Sequence, residues 1–194
     1  MNWLKNKGGV VLLCFILNLG VRAQDDNTGT HERWEYILVD TGDVLQIALP
    51  VTAGLTTLIK KDYRGTRDFA FSFATTMVLT YSLKAITKRQ RPEGRNAYDS
   101  FPSGHTSAAF SGASFIQRRY GWKYGKYAYI LAALVGVSRM EGPDGFHDIY
   151  DVLGGAAIAV GSTYLFTKPL SNEKLSVAFH AQRDVKLISL RFQF

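Results

Sequence analysis

Cysteine is almost absent: the 194 residues contain one, Cys14, inside an apolar run near the N-terminus. Leu13 precedes it where a lipoprotein signal requires a small residue, which excludes lipid attachment there. A chain cut beyond that run has no thiol and no disulfide, so its stability must come from packing. Residues 1–23 lack any acid while carrying Lys5, Lys7 and Arg22. The chain also lacks internal repeats and low-complexity tracts, and it lacks the basic and stacked-aromatic spacing of a nucleic-acid module, so no nucleic-acid partner is expected. No third ligand of fixed spacing accompanies His147 and Asp151, so no metal is expected either. Several apolar runs fall short of the ~20 residues that a membrane span prefers.

What is present begins with an address. Lys5 and Lys7, an apolar run from Val10 to Leu19, and Gly20-Val-Arg-Ala23 before Gln24 predict a signal peptide over residues 1–23, cut after Ala23, with an uncleaved anchor helix as the alternative. The net charge is +7, of which residues 1–23 carry +3. A basic balance suits anionic lipid or an anionic substrate. The length favours one domain with a sizeable core.

The apolar pattern predicts an all-α bundle of five to six helices, embedded in a membrane. Residues 24–42 read as a polar lead-in with a short helix near Trp34–Leu38. Residues 43–168 form the helical domain, in five stretches. These are Asp43–Leu58, kinked near Pro50, Thr66–Thr87, a helix capped by Ser103 and running to Arg119, Tyr127–Val137, and His147–Phe166. If each run crosses, Lys60, Lys61, Arg64, Arg118, Arg119, Lys123 and Lys126 collect at one face, and the positive-inside rule puts the other face outside, toward a bacterial periplasm. Residues 169–194 form a C-terminal tail whose apolar period changes to two from Lys174, around Gln182-Arg-Asp184, which predicts a short β-hairpin.

Three clusters carry the chemistry. Lys84 and Arg91, the latter followed by Pro92, lie in a basic stretch with Lys88, Arg89 and Arg95. In Pro102-Ser103-Gly104-His105 a serine cap and a glycine expose amides at a helix start, a ready anion site, with His105 one turn in. Ser138-Arg139 offers a guanidinium fork for phosphate. His147 and Asp151, four apart and read as lying on one helix, share a face, so the carboxylate can orient the imidazole as a nucleophile.

In order and spacing these patterns resemble the signature of the type 2 phosphatidic acid phosphatase superfamily, which also contains bacterial acid phosphatases and vanadium haloperoxidases. Lys84, six residues, then Arg91-Pro92 match its first motif, and residues 102–105 its second. Ser138, Arg139, His147 and Asp151 match its third, with seven residues between Arg139 and His147 where the family has five. The resemblance covers about Asp43 to Phe166. It implies catalytic residues His147, His105 and Asp151: His147 attacks phosphorus to form a phosphohistidine, Asp151 holds its imidazole, and His105 protonates the leaving group. It implies phosphate-binding residues Lys84, Arg91, Ser103, Gly104 and Arg139, and no cofactor, because fixed cations do the electrostatic work.

The expected function is a metal-independent phosphatase acting on a phosphorylated lipid of the phosphatidic acid, phosphatidylglycerol phosphate or polyprenyl diphosphate class, at the periplasmic side of a bacterial inner membrane. The rivals are a soluble periplasmic acid phosphatase of broad specificity and a catalytically silent membrane scaffold. Activity on soluble monoesters without detergent marks the first. A rate no higher than that of His147→Ala marks the second.

Overall fold

A computed structural model describes residues 33–92, 96–141, 146–170, 175–182 and 185–192. Within them lie five helices: α1 (Arg33–Ile59), α2 (Tyr63–Thr87), α3 (Gly104–Tyr120), α4 (Trp122–Met140) and α5 (Ile149–Phe166). Two strands follow, β1 (Leu175–Gln182) and β2 (Val185–Phe192), paired antiparallel from Leu175 opposite Phe192 to Gln182 opposite Val185. The expected signal peptide and its cleavage point lie outside the described residues.

α3 is the hub of the bundle and packs against all four other helices. Its composition explains why. Ser107, Ala109, Ser111, Gly112, Ala113 and Ser114 are all buried, and small side chains let helix axes approach closely. At Gly112 a methyl group would stand 2.5 Å from the carbonyl carbon of Leu49 and 2.6 Å from the nitrogen of Pro50. Only a glycine allows α1 to cross α3 there. The apolar core is thin: Leu45, Leu49, Ala109, Ala113, Ala128, Ala132 and Val135, with Phe110, Ile116, Tyr129 and Leu134 around it.

The polarity of the bundle is inverted relative to a water-soluble one. The buried residues of α2 are Gly65, Asp68, Ser72, Thr76 and Thr80, spaced three or four apart on one stripe. Its large apolar side chains, among them Phe71, Val78, Leu79 and Ile86, face outward. Ile47, Val51, Leu55 and Leu58 of α1 and Leu153 and Leu165 of α5 do the same. Inside, hydroxyls satisfy one another: Thr80 Oγ1 donates to Ser107 Oγ at 3.0 Å, and Ser114 and Thr163 pair at 2.7 Å. In water this exposed apolar area would be a liability. In lipid it costs nothing, and internal hydroxyl bonds join the helices. α1, α2 and α5 are each long and apolar enough to cross a membrane.

Several helix limits differ from expectation. α1 is continuous from Arg33, through the segment read as a polar lead-in and through Pro50. The polar residues there occupy helical positions; Thr41, for instance, returns its hydroxyl to the Ile37 carbonyl at 2.7 Å. α2 begins at Tyr63 because Asp62 caps it, accepting from the Gly65 amide at 2.9 Å. α4 begins at Trp122, five residues before the expected Tyr127, with Gly121 alone separating it from α3. α5 begins at Ile149 after an Asp148 cap, which leaves His147 outside the helix.

The two ends of the bundle are chemically distinct, as the loop charges imply. At one end Arg119, nearly buried, donates Nε to Asp62 Oδ2 at 2.7 Å and Nη1 to the Lys168 carbonyl at 2.9 Å, joining the α1–α2 loop to the residues after α5. The Arg119 bond holds the Asp62 carboxyl below its usual range. The opposite end carries the three motif clusters.

Candidate active site

Lys84 reaches that end because it extends the buried stripe of α2 by one further turn, four residues after Thr80. Its ammonium donates to the carbonyl of Asp99 and lies 3.5 Å from that of Ser100. Arg91 sits in the α2–α3 loop, anchored by its amide to the Ala97 carbonyl at 2.9 Å. Its guanidinium grips Asp99 through both oxygens, Nε to Oδ1 at 2.8 Å and Nη2 to Oδ2 at 3.0 Å. That grip lowers the Asp99 pKa. Arg139, in the last turn of α4 and only 3% exposed, donates Nη1 to Asp43 Oδ1 at 2.9 Å and Nη2 to the Val39 carbonyl at 2.9 Å.

Ser103 caps α3 as expected, its Oγ accepting from the Thr106 amide at 3.5 Å and from the Thr106 hydroxyl at 3.0 Å. It is fully buried and set back from the cavity described below. Its amide donates to the Asp151 carbonyl at 2.9 Å, which ties the two helix starts together. Gly155 makes that approach feasible, since a methyl group there would lie 2.6 Å from the Ser103 carbonyl oxygen. Gly104 and His105 follow on the first turn of α3, and His105 Nε2 lies 3.1 Å from Asp43 Oδ1.

His147 and Asp151 meet, but not as two residues of one helix. His147 precedes the Asp148 cap, and its amide donates to the Arg139 carbonyl at 3.1 Å, so Arg139 and His147 are linked through the backbone. The imidazole folds over the first turn of α5, placing Nδ1 3.3 Å from Asp151 Oδ2. The fully buried Asp151 also accepts from the Ser100 hydroxyl, from the Asp148 amide at 3.2 Å and from Arg89 Nη1 at 3.0 Å. Such a carboxylate is fully satisfied and cannot turn away. Burial, then the charge of Lys84, lowers the His147 pKa to about 4, so the ring is neutral at physiological pH.

A cavity of about 940 Å³ joins these groups. Lys84, Arg91, Gly104, His105, Arg139 and His147 line it together with Asp43, Lys88 and Asp99, while Val39, Met77 and Ala108 give it apolar walls. Ser103 and Asp151 support it from behind.

Five contributors were not identified from the sequence. Arg89 counted only as part of a basic neighbourhood, yet it bridges Asp148 and Asp151. Asp148, Ser100 and Asp99 carry no motif of their own. Asp43 did have a signal: a carboxylate within a long apolar helix is functional by default, and it escaped notice because the helix was started at that residue.

The PAP2 superfamily profile matches residues 65–174, more than half of the chain. The chain belongs to the PAP2 superfamily. Its catalytic class is therefore that of a phosphoric ester hydrolase. A relative spanning nearly its whole length is the lipid A 4'-phosphatase of Helicobacter pylori, 33% identical over 174 residues, which is 84% of this chain and 84% of that protein. Among solved structures, LpxE of Aquifex aeolicus superposes with a TM-score of 0.60 at 20% identity, covering 72% of this chain and 88% of that one. A transmembrane PAP2 type phosphatidylglycerolphosphate phosphatase from Bacillus subtilis does so with a TM-score of 0.55 at 23% identity, covering 81% and 92%. The second of these is described as transmembrane, and the outward apolar faces of α1, α2 and α5 put this PAP2 chain in a membrane as well.

Proposed function

We propose that the protein hydrolyses a phosphate monoester carried by a membrane lipid, through a phosphohistidine on His147. The observation that carries this reading is one cavity at the end of a lipid-facing bundle, holding a neutral histidine backed by a carboxylate, a second histidine and a ring of cations. The Nε2 of His147 attacks phosphorus, and the P–O bond to the lipid breaks as the N–P bond forms. His105 supplies the proton to the leaving alkoxide and then takes one from the attacking water. That water breaks the N–P bond and releases inorganic phosphate. Lys84, Arg91, Arg139 and the Gly104 amide spread the charge of the equatorial oxygens, with Ser103 holding the helix start that presents the amide. Asp151 orients His147 and favours the cationic ring that forms during attack.

The relative named as a lipid A 4'-phosphatase makes a glycolipid phosphate the first substrate class to try, with phosphatidic acid and phosphatidylglycerol phosphate beside it. The cavity end of the bundle faces the periplasm in this reading, because Lys60, Lys61, Arg64, Arg118, Lys123 and Lys126 gather at the opposite end.

The test is phosphate release by detergent-purified protein in excess EDTA, on lipid A, phosphatidic acid, phosphatidylglycerol phosphate and a soluble monoester, with His147→Ala alongside. EDTA-resistant release from a lipid, lost in the variant, is the expected result. Release abolished by EDTA would sink the metal-free mechanism. A preference for the soluble monoester would replace the lipid reading with that of a broad phosphatase.

A further inference from the structure

Each guanidinium assigned to phosphate is already held by a carboxylate. Asp99 occupies Arg91 through both of its oxygens. Asp43 occupies Arg139 through Oδ1, and the same oxygen lies 3.1 Å from His105 Nε2. The two acids differ in what they are tied to. Asp99 belongs to the loop, and its own carbonyl accepts from Lys84, so it is part of the frame that positions the cations. Asp43 lines the cavity from α1 with its side chain 49% exposed, and among the described residues its side-chain bonds all run through Oδ1.

Arg139 is held at all three of its nitrogens. Nε is engaged by the buried Ser138 hydroxyl at 3.1 Å and Nη2 by the Val39 carbonyl. Of its three hydrogen-bond partners among the described residues, only Asp43 offers a cavity-lining side chain as acceptor, while the Phe146 ring lies over the guanidinium at 5.4 Å. Arg139 keeps one further N–H on each of Nη1 and Nη2, but His105 Nε2 has a single site, so an oxyanion that engages His105 there must take the place of that oxygen. Lys84, Lys88, Arg91 and Arg139 against Asp43 and Asp99 leave the lining at +2 before either histidine is counted. A net +2 matches a phosphate monoester dianion.

We infer that Asp43 is the internal counter-ion of the phosphate site: its carboxylate spans Arg139 and His105 while the site is empty, yields them to the incoming phosphoryl group, and returns to help expel inorganic phosphate. This rests on the assignment of the cavity as a phosphate site. Asp43 is a positioning and specificity residue, since it acts through Arg139 and His105 and touches no reacting atom. The exchange keeps two catalytic side chains ordered without a ligand, and the competing negative charge weakens the hold on product.

The experiment is binding of inorganic phosphate by calorimetry to the full-length protein in detergent, with product inhibition measured on the same preparations. Removing the charge in Asp43→Asn should tighten phosphate binding about tenfold and lower both KM and kcat. Asp43→Glu, which keeps the charge, should stay within about twofold of wild type in phosphate affinity. Asp43→Ser should tighten binding as the Asn variant does, so one poorly folded variant does not leave the point open. The sign discriminates, because a merely structural role predicts weaker binding once Arg139 and His105 lose their partner. Unchanged or weaker phosphate binding in both neutral variants overturns the inference, as does an absence of phosphate binding in every form. Calorimetry needs no turnover. Tighter binding by the variants of a protein that hydrolyses no lipid phosphate would refute the proposed function and keep the counter-ion. Hydrolysis with an unmoved phosphate affinity would do the reverse.

Discussion

Replacing Asp151 with asparagine changes one atom and removes one charge at the best-connected carboxylate of the site. Its Oδ2 takes His147 Nδ1 at 3.3 Å, the Ser100 hydroxyl and the Asp148 amide at 3.2 Å, and Oδ1 takes Arg89 at 3.0 Å. Asparagine has a single acceptor oxygen and cannot serve both sides. If that oxygen faces His147, the amide hydrogens point at Arg89 and the charge that favours the cationic ring is gone. If it faces Arg89, the amide donates to His147 Nδ1 and moves the ring proton to Nε2, the nitrogen proposed to attack phosphorus. Losing one charge-assisted bond is worth about 1.5–3 kcal/mol, or about 10- to 150-fold in rate, and a reversed tautomer costs up to about 10⁴-fold. The expected loss in kcat therefore lies between about 10 and 10⁴, with KM moving less than about threefold because Asp151 does not line the cavity. Ser100→Ala, which removes one of the three donors to Oδ2, should fall in the same direction by about tenfold. Initial rates of phosphate release from detergent-solubilised lipid, with rapid quenching to trap phosphoenzyme, separate attack from hydrolysis. A folded Asp151→Asn protein whose kcat stays within tenfold of wild type would refute the orienting role.

Three further outcomes are expected. Asp62→Ala strands Arg119 at the end of the bundle away from the cavity, where both side chains are under a tenth exposed. The cost is about 3–5 kcal/mol, read as a fall of roughly 6–20 °C in thermal unfolding. Asp62→Leu combined with Arg119→Met should recover most of it, and a fall below 2 °C in the single variant would contradict the pairing. Gly112→Ala drives a methyl group into the backbone of Leu49 and Pro50 and should destabilise by about 1–3 kcal/mol by the same measurement. The third concerns pH: the His147 pKa is lowered to about 4 from 6.5, so between those values the unfolded chain binds a proton that the folded chain refuses. The neutral ring's contribution, about 3 kcal/mol at most, is present above pH 6.5 and lost as pH falls toward 4. His147→Gln should flatten the acid side of the stability profile, and an identical profile in both proteins would show that His147 is not buried as described.

The helices were legible because α2 and α5 carry long apolar patterns, and Ser103 was readable as a cap because serine before an apolar run has a local mechanism. The start of α4 was not. Trp122, Lys123, Tyr124 and Lys126 look like a linker by charge, and only the packing of α4 on α3 makes them helix. The His147–Asp151 contact was expected from a four-residue spacing, and the contact exists, but the Asp148 cap moves the histidine off the helix. Spacing survives such an error because the first helical turn and the residue before it lie over the same surface. Asp43 and Asp99 were missed for different reasons. A carboxylate inside a long apolar helix was a signal for Asp43, hidden by starting the helix at that residue, although its partner Arg139, 96 residues away, was not readable. Asp99 grips Arg91 across a loop, where no local pattern encodes the pair.

The crossing of α1 and α3 at Gly112 bears on activity as well as on packing. Asp43 and His105 each lie seven residues before the touching point, Asp43 ahead of Pro50 and His105 ahead of Gly112, and the two side chains meet. The helices therefore run parallel from the site to a shared fulcrum, with arms of about 10 Å each at 1.5 Å per residue. Tilting one arm by about 10° about that point moves its tip by roughly 1.8 Å, more than the tolerance of a hydrogen bond. The backbone of Leu49 and Pro50 in the middle of the bundle thus acts as the bearing that keeps His105, the proposed general acid, aligned, and substitutions there should misalign catalysis before they unfold the chain.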